Sequence, residues 1–227
     1  MRRFGAPSRA VIVAAAIVMP LTLFAVLAIQ IGRGDSPAFD ADILRFVDRH
    51  QSTIASALVD RMLMIGGEPS SLVPAVLIGA AILLLYAARR RGDALFLTAA
   101  VGGAMLFAPL LKLGFERPPL AGDSSSRYFP SGHATGSLVV MAALVLVSWR
   151  GPRRWAVLAF GLVFVIVYGA ALVYSQGHYP SDVIGGWSIG LAWVAALYAF
   201  RAARVTPERA RRQQLLPAPT PPRDPTP

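Results

Sequence analysis

The chain has no cysteine. That excludes a disulfide framework, a zinc–thiolate site and a cysteine nucleophile. Lysine is almost as scarce: Lys112 stands alone among 22 Lys and Arg residues, and the rest are arginine. Histidine occurs three times, at His50, His133 and His178. Charge is sparse as well. Only 15% of the 227 residues are charged, against about a quarter in an ordinary soluble domain. These charges cluster, and long uncharged apolar runs separate the clusters. A bilayer crossing takes about 20 such residues. The net charge of +10 is therefore read as the arginine excess of cytoplasmic helix ends and not as a nucleic-acid surface.

Six apolar runs follow in order: residues 10–32, 70–88, 94–111, 134–149, 155–174 and 183–200. The first follows a short basic start, as a signal peptide would. Its apolar stretch exceeds the 7–15 residues or so of a signal core, so it reads as a retained span. The expected fold is all-α: a polytopic membrane protein built as a bundle of six transmembrane helices. Residues 1–33 form the N-terminus and first span, 34–200 the membrane core, and 201–227 a basic, then Pro-rich tail expected to be disordered after about Leu216. Residues 35–67 are mixed. Ile43, Phe46 and Val47 share one helical face, as do Ala55, Leu58, Val59 and Met62, which predicts helices lying at the interface or against the bundle.

Orientation follows from charge. Arg2, Arg3 and Arg9, then Arg89 to Arg91, Arg150 to Arg154 and the tail from Arg201 all fall on one side of a six-span chain. The positive-inside rule makes that side, and both termini, cytoplasmic. The loops 112–129 and 175–182 then share the opposite face, periplasmic or extracellular if this is a bacterial inner-membrane protein.

Those two loops carry the polar chemistry. Phe129-Pro130-Ser131-Gly132-His133 precedes an apolar run, with Ser131 suited to cap a helix. Backbone N–H groups of a first helical turn lack partners, and the helix dipole adds positive character there. Gly132 lets a bound group approach, and His133 lies beside that anion-binding end. The plain alternative is a membrane-helix cap with a histidine at headgroup level. Gly177-His178-Tyr179-Pro180-Ser181-Asp182 begins another helix. A carboxylate at Asp182 can hold the His178 Nδ1–H and leave Nε2 as the nucleophilic nitrogen; alternatively, Asp182 is a helix N-terminal charge. Lys112 and Arg117 close the third run. Lys112 either snorkels to the interface or, with Arg117, binds phosphate as point charge and planar fork. Arg127 either joins them or is a solvated loop charge.

Together these residues suit phosphoryl transfer through histidine. His178 would attack phosphorus, and His133 would protonate the leaving oxygen and then help activate water. Lys112, Arg117 and the amides around Ser131 and Gly132 would hold the phosphoryl oxygens. No carboxylate cluster suggests a metal, and no cofactor is expected. The scheme requires the imidazoles of two separate stretches to meet at one rim of the bundle.

At these residues the chain resembles the type 2 phosphatidic acid phosphatase superfamily of membrane lipid phosphatases. That family has three ordered signatures: Lys followed by Arg-Pro, then P-S-G-H, then Ser-Arg followed by His and, four residues on, Asp. The second is complete at Pro130 to His133, and the end of the third at His178 and Asp182. The resemblance covers roughly residues 40–190. It implies a metal-independent enzyme with His178 as nucleophile, Asp182 as its orienting partner and His133 as acid. Its substrate would be a lipid phosphate or isoprenyl diphosphate within membrane lipids. Two departures stand out. Four residues separate Lys112 from Arg117-Pro118, and Pro119 occupies an expected arginine position. The Ser-Arg pair of the third signature falls on Ala171 and Leu172. These departures keep open a lipid-phosphate-binding protein without turnover. A phosphotransferase shares the same histidine logic. The oligomeric state is not legible.

Overall fold

The computed structural model describes residues 8–66, 72–120, 126–149 and 151–214. Among them are eight helices: α1 (Arg9–Gly32), α2 (Ala38–His50), α3 (Thr53–Gly66), α4 (Val73–Ala87), α5 (Arg91–Lys112), α6 (Gly132–Ser148), α7 (Arg154–Tyr174) and α8 (Pro180–Gln214). By length and composition, α1, α5, α7 and the 180–204 part of α8 can each cross a membrane, while α4 and α6 are shorter apolar helices. Four candidate spans thus stand where six were expected. The difference lies in helix length, since α4 has 15 residues and α6 has 17.

Helix α6 is central, packed between α5, α7 and α8. Its Val139, Ala143 and Val147 meet Phe96, Leu97, Ala100 and Ala104 of α5 and Val194 of α8. Alanines at i and i+4 let α5 approach closely, as is common where helices meet in membranes. Helix α1 lies along α8, α4 along α5, and α3 against α7. Large apolar side chains point outward, among them Met105, Leu106, Phe160 and Val163. An apolar exterior of this kind suits a lipid surrounding.

The contact between α6 and α8 depends on two glycines of α8. A Cβ on Gly186 would lie 2.5 Å from the Ser131 carbonyl oxygen, and one on Gly185 would lie 2.3 Å from the Phe129 ring. Only a bare backbone fits, so the two helix starts are drawn together. At the far end of the bundle, Asp93 of α5 is buried and bonded by Arg90 and by Arg201 of α8. Arg90 also donates to the Val147 carbonyl at the end of α6, at 2.6 Å. The start of α5, the end of α6 and the Arg201 turn of α8 are thereby tied at the rim opposite the histidines.

Two local expectations are corrected. On α2 the inward face is Asp40, Leu44 and Val47, whereas Ile43 and Phe46 are exposed. Position 40 faces in because Arg117 draws its carboxylate there, and the other inward positions follow at i+4 and i+7. Helix α8 also continues past Arg201 to Gln214. Ala- and Arg-rich sequence favours helix, so a span can run into a basic extension without a break. The disorder expected beyond about Leu216 lies outside the described residues.

Candidate active site

The site sits where α6 and α8 begin and α5 ends. Ser131 caps α6: its Oγ accepts from the Ala134 N–H at 3.2 Å, and its carbonyl accepts from the Thr135 hydroxyl at 2.8 Å. The side chain of Ser131 is wholly buried in this role. Its own N–H donates to the Asp182 carbonyl at 3.0 Å, stitching the two motifs together. Gly132 is half-buried, and among the described residues a Cβ there would meet nothing within 4 Å. Open space therefore faces the first turn of α6, the end that favours anions.

The two imidazoles converge, with His133 and His178 ring centroids 6.3 Å apart. His133 is exposed; His178 is buried. Tyr128 stands edge-on to the His178 ring with centroids 6.1 Å apart. Asp182 Oδ2 lies 3.7 Å from His178 Nδ1. That distance permits electrostatic attraction but exceeds hydrogen-bond length, and Nδ1 has no hydrogen-bond partner among the described residues. Both Asp182 oxygens are held from other directions. Oδ2 accepts from the Tyr179 N–H at 2.9 Å, and Oδ1 from Arg117 Nη1 at 2.7 Å.

Arg117 differs most from its sequence reading as a phosphate clamp. Its guanidinium is buried and engaged at both terminal nitrogens. Nη1 also donates to Ser181 Oγ at 2.7 Å, and Nη2 donates to Asp40 Oδ2 at 2.7 Å and Ser36 Oγ at 3.1 Å. The Tyr179 ring covers one face of it, 3.9 Å away. Burial, partly offset by the Arg117 charge, pushes the Tyr179 phenol above its ordinary pKa. It remains a donor, bonded to the Pro118 carbonyl at 3.1 Å.

The remaining cations are placed differently. Lys112, half-buried at the end of α5, is close enough to Asp182 to interact with its charge. Arg127 is exposed and lies 3.9 Å from Glu116. Pro119 is exposed, whereas Ala171 and Leu172 are buried, and Leu172 packs with Ala134 and Val183. Hydrophobic packing thus fills the position where the third signature carries Ser-Arg.

Sequence reasoning missed Asp40, Ser36, Ser181 and Tyr179. Asp40 is only 1% exposed and bonds the Ser181 N–H at 2.8 Å and the Ser181 hydroxyl at 2.6 Å. It thereby caps the first turn of α8 from another helix. The available signal was its spacing from Leu44 and Val47, which puts a carboxylate on an apolar face.

The PAP2 superfamily model matches residues 93–206, about half the chain, and includes both histidine motifs. A lipid A 1-phosphatase of Rhizobium johnstonii is 36% identical over 127 residues, covering 50% of this chain and 48% of the relative. Phosphatidylglycerophosphatase B of Bacillus subtilis is 31% identical over 135 residues, covering 55% and 65%. The chain thus spans about half to two thirds of these relatives' lengths. An undecaprenyl-diphosphatase of Sulfolobus acidocaldarius is 27% identical over 188 residues, covering 78% and 86%. The crystal structure of a transmembrane PAP2-type phosphatidylglycerolphosphate phosphatase from Bacillus subtilis has the same fold: TM-score 0.65 at 23% identity, over 84% of this chain and 96% of that one. From the matched stretch and the shared helical architecture, the chain belongs to the PAP2 superfamily.

Proposed function

We propose that this protein is a multi-pass membrane phosphatase that hydrolyses a lipid phosphate or isoprenyl diphosphate at the outer membrane face. The observation that carries the reading is the 6.3 Å approach of His133 and His178 beside the first turn of α6. His178 Nε2 attacks phosphorus, the bond from phosphorus to the leaving oxygen breaks, and His133 gives that oxygen its proton. Water then attacks the phosphohistidine while His133 takes a proton from it. The P–N bond breaks, inorganic phosphate leaves, and His178 is restored. Lys112 and the backbone amides near Gly132 stabilise the charge on the phosphoryl oxygens, and Arg127, from the exposed loop before α6, adds to them in this reading. No step calls for a metal ion.

A lipid substrate fits the surroundings. An open apolar groove of about 320 Å³ lies along α8 between α1 and α5, lined by Leu21, Phe107, Leu111, Ile189 and Trp193. Leu111 lies in the last turn of α5, the helix end at which the site sits. The named activities of the relatives, on lipid A, phosphatidylglycerophosphate and undecaprenyl diphosphate, belong to the same substrate class. Six apolar helices crossing in alternation, with the arginine-rich rim inside, would put the site on the outer face.

The second reading, a lipid-phosphate-binding protein without turnover, is favoured by Arg117 being engaged elsewhere and by apolar packing at Ala171 and Leu172. One experiment separates the two. Purified protein in detergent with chelator is given phosphatidate or undecaprenyl diphosphate, and free phosphate is measured. Release that disappears in both His133→Ala and His178→Ala supports the phosphatase. Binding without release supports the second reading. Product on an added lipid or glycan acceptor would make it a transferase.

A further inference from the structure

We propose that Asp40 and Arg117 form a buried clasp that positions Asp182 behind His178, making Asp40 a positioning residue of the site. Asp40 precedes the stretch that the family model matches, and it comes from α2, a helix too polar to be one of the six apolar runs. The proposal rests on the phosphatase reading for its kinetic consequence but not for its geometry.

The clasp is a closed circuit. Arg117 bridges the Asp40 and Asp182 carboxylates, each at 2.7 Å, across 77 and 65 residues of sequence. Asp40 closes the loop by bonding the N–H and hydroxyl of Ser181, the residue before Asp182. Asp40 and Asp182 are 1% and 0% exposed. With Oδ1 fixed by Arg117 and Oδ2 by the Tyr179 N–H, the Asp182 carboxylate has one orientation, which sets Oδ2 3.7 Å from His178 Nδ1. A guanidinium held by two carboxylates and covered by the Tyr179 ring is a fixed strut, not a receptor for incoming phosphate.

The charges make the idea testable. One cation shared between two anions leaves each carboxylate only partly neutralised. Removing the Asp40 charge leaves Arg117 to neutralise Asp182, which weakens the pull of Asp182 on an imidazolium at His178. Removing the Arg117 charge has the opposite effect. The other titratable groups around His178 are His133 of α6 and Tyr128 of the preceding loop, with Lys112 of α5 acting on Asp182 and Tyr179 next in sequence; both substitutions leave these residues in place, and Tyr179 also feels the Arg117 and Asp40 charges.

The test is histidine-ring NMR on the full chain in micelles, where His50, His133 and His178 are the three signals. Asp40→Asn should lower the His178 titration midpoint and Arg117→Gln should raise it, while His50 stays put. In parallel, Asp40→Asn should reduce kcat on a short-chain phosphatidate by on the order of 10²-fold, the usual effect of a small misplacement. KM should stay within about threefold, and Asp40→Glu should restore part of kcat. A His178 midpoint unmoved in Asp40→Asn overturns the clasp, even if Arg117→Gln fails to fold. So does an Arg117→Lys variant that raises KM and spares kcat, because Arg117 would then be binding phosphate. If wild-type protein releases no phosphate while the midpoints shift as stated, the clasp stands and the phosphatase reading falls.

Discussion

The backbone N–H of Ser131 donates to the carbonyl of Asp182 at 3.0 Å. This single bond joins the start of α6 to the start of α8, fixing the two histidine-bearing turns relative to each other. The glycines of α8 make it possible, since any side chain at Gly186 would occupy the position of the Ser131 carbonyl.

Gly186→Ala should therefore damage the site more than its size suggests. Overpacking of this kind costs roughly 1–3 kcal/mol, and backbone on the facing side cannot give way as a flexible side chain would. The expected result is a lower melting temperature in detergent together with a loss of phosphate release beyond what the remaining folded fraction explains. Full activity in Gly186→Val would show that the helix starts do not need this approach.

His133→Ala should leave stability nearly unchanged, because the residue is exposed. Phosphate release should fall by on the order of 10²–10⁴-fold, the range for losing a general acid. Acid-labile, base-stable phosphate trapped on the protein should be absent in His178→Ala.

Lys112→Met keeps a good helix former and the apolar stem but removes the charge. Loss of one preorganised phosphate partner typically costs on the order of 10²–10³-fold in rate. Arg127→Ala, on an exposed loop position, should weaken substrate binding and leave the fold intact. A KM identical to wild type would remove Arg127 from the site.

Tyr179 gives a pH signature. Its phenol is held above the ordinary value by burial, so the unfolded chain loses this proton first as pH rises. The stabilising contribution is complete below the unfolded tyrosine pKa of about 10 and declines as pH climbs through the raised folded value. Alkaline melting curves should show that decline, and Tyr179→Phe should flatten part of it.

Much of the fold was legible because it depends on local pattern. The absence of charge over residues 10–32 or 155–174 suffices to define an apolar helix, whatever surrounds it. Ser131 before Gly132 announces a cap, and the cap is there. The α2 face was misjudged because Ile43 and Phe46 are as apolar as Val47. Only a buried partner for Asp40 turns the helix the other way. The extension of α8 to Gln214 was missed because a basic composition was taken as a boundary, although it does not oppose helix.

The sequence by itself determined which segments are apolar helices and which turns carry histidine, because hydrophobicity, capping and charge distribution act within a few residues. The tertiary structure alone decided that His133 and His178 meet, and that Arg117 engages Asp40 and Asp182 within the protein. A buried charge must find its counter-charge wherever the chain's packing brings one, and here the partners lie 77 and 65 residues away.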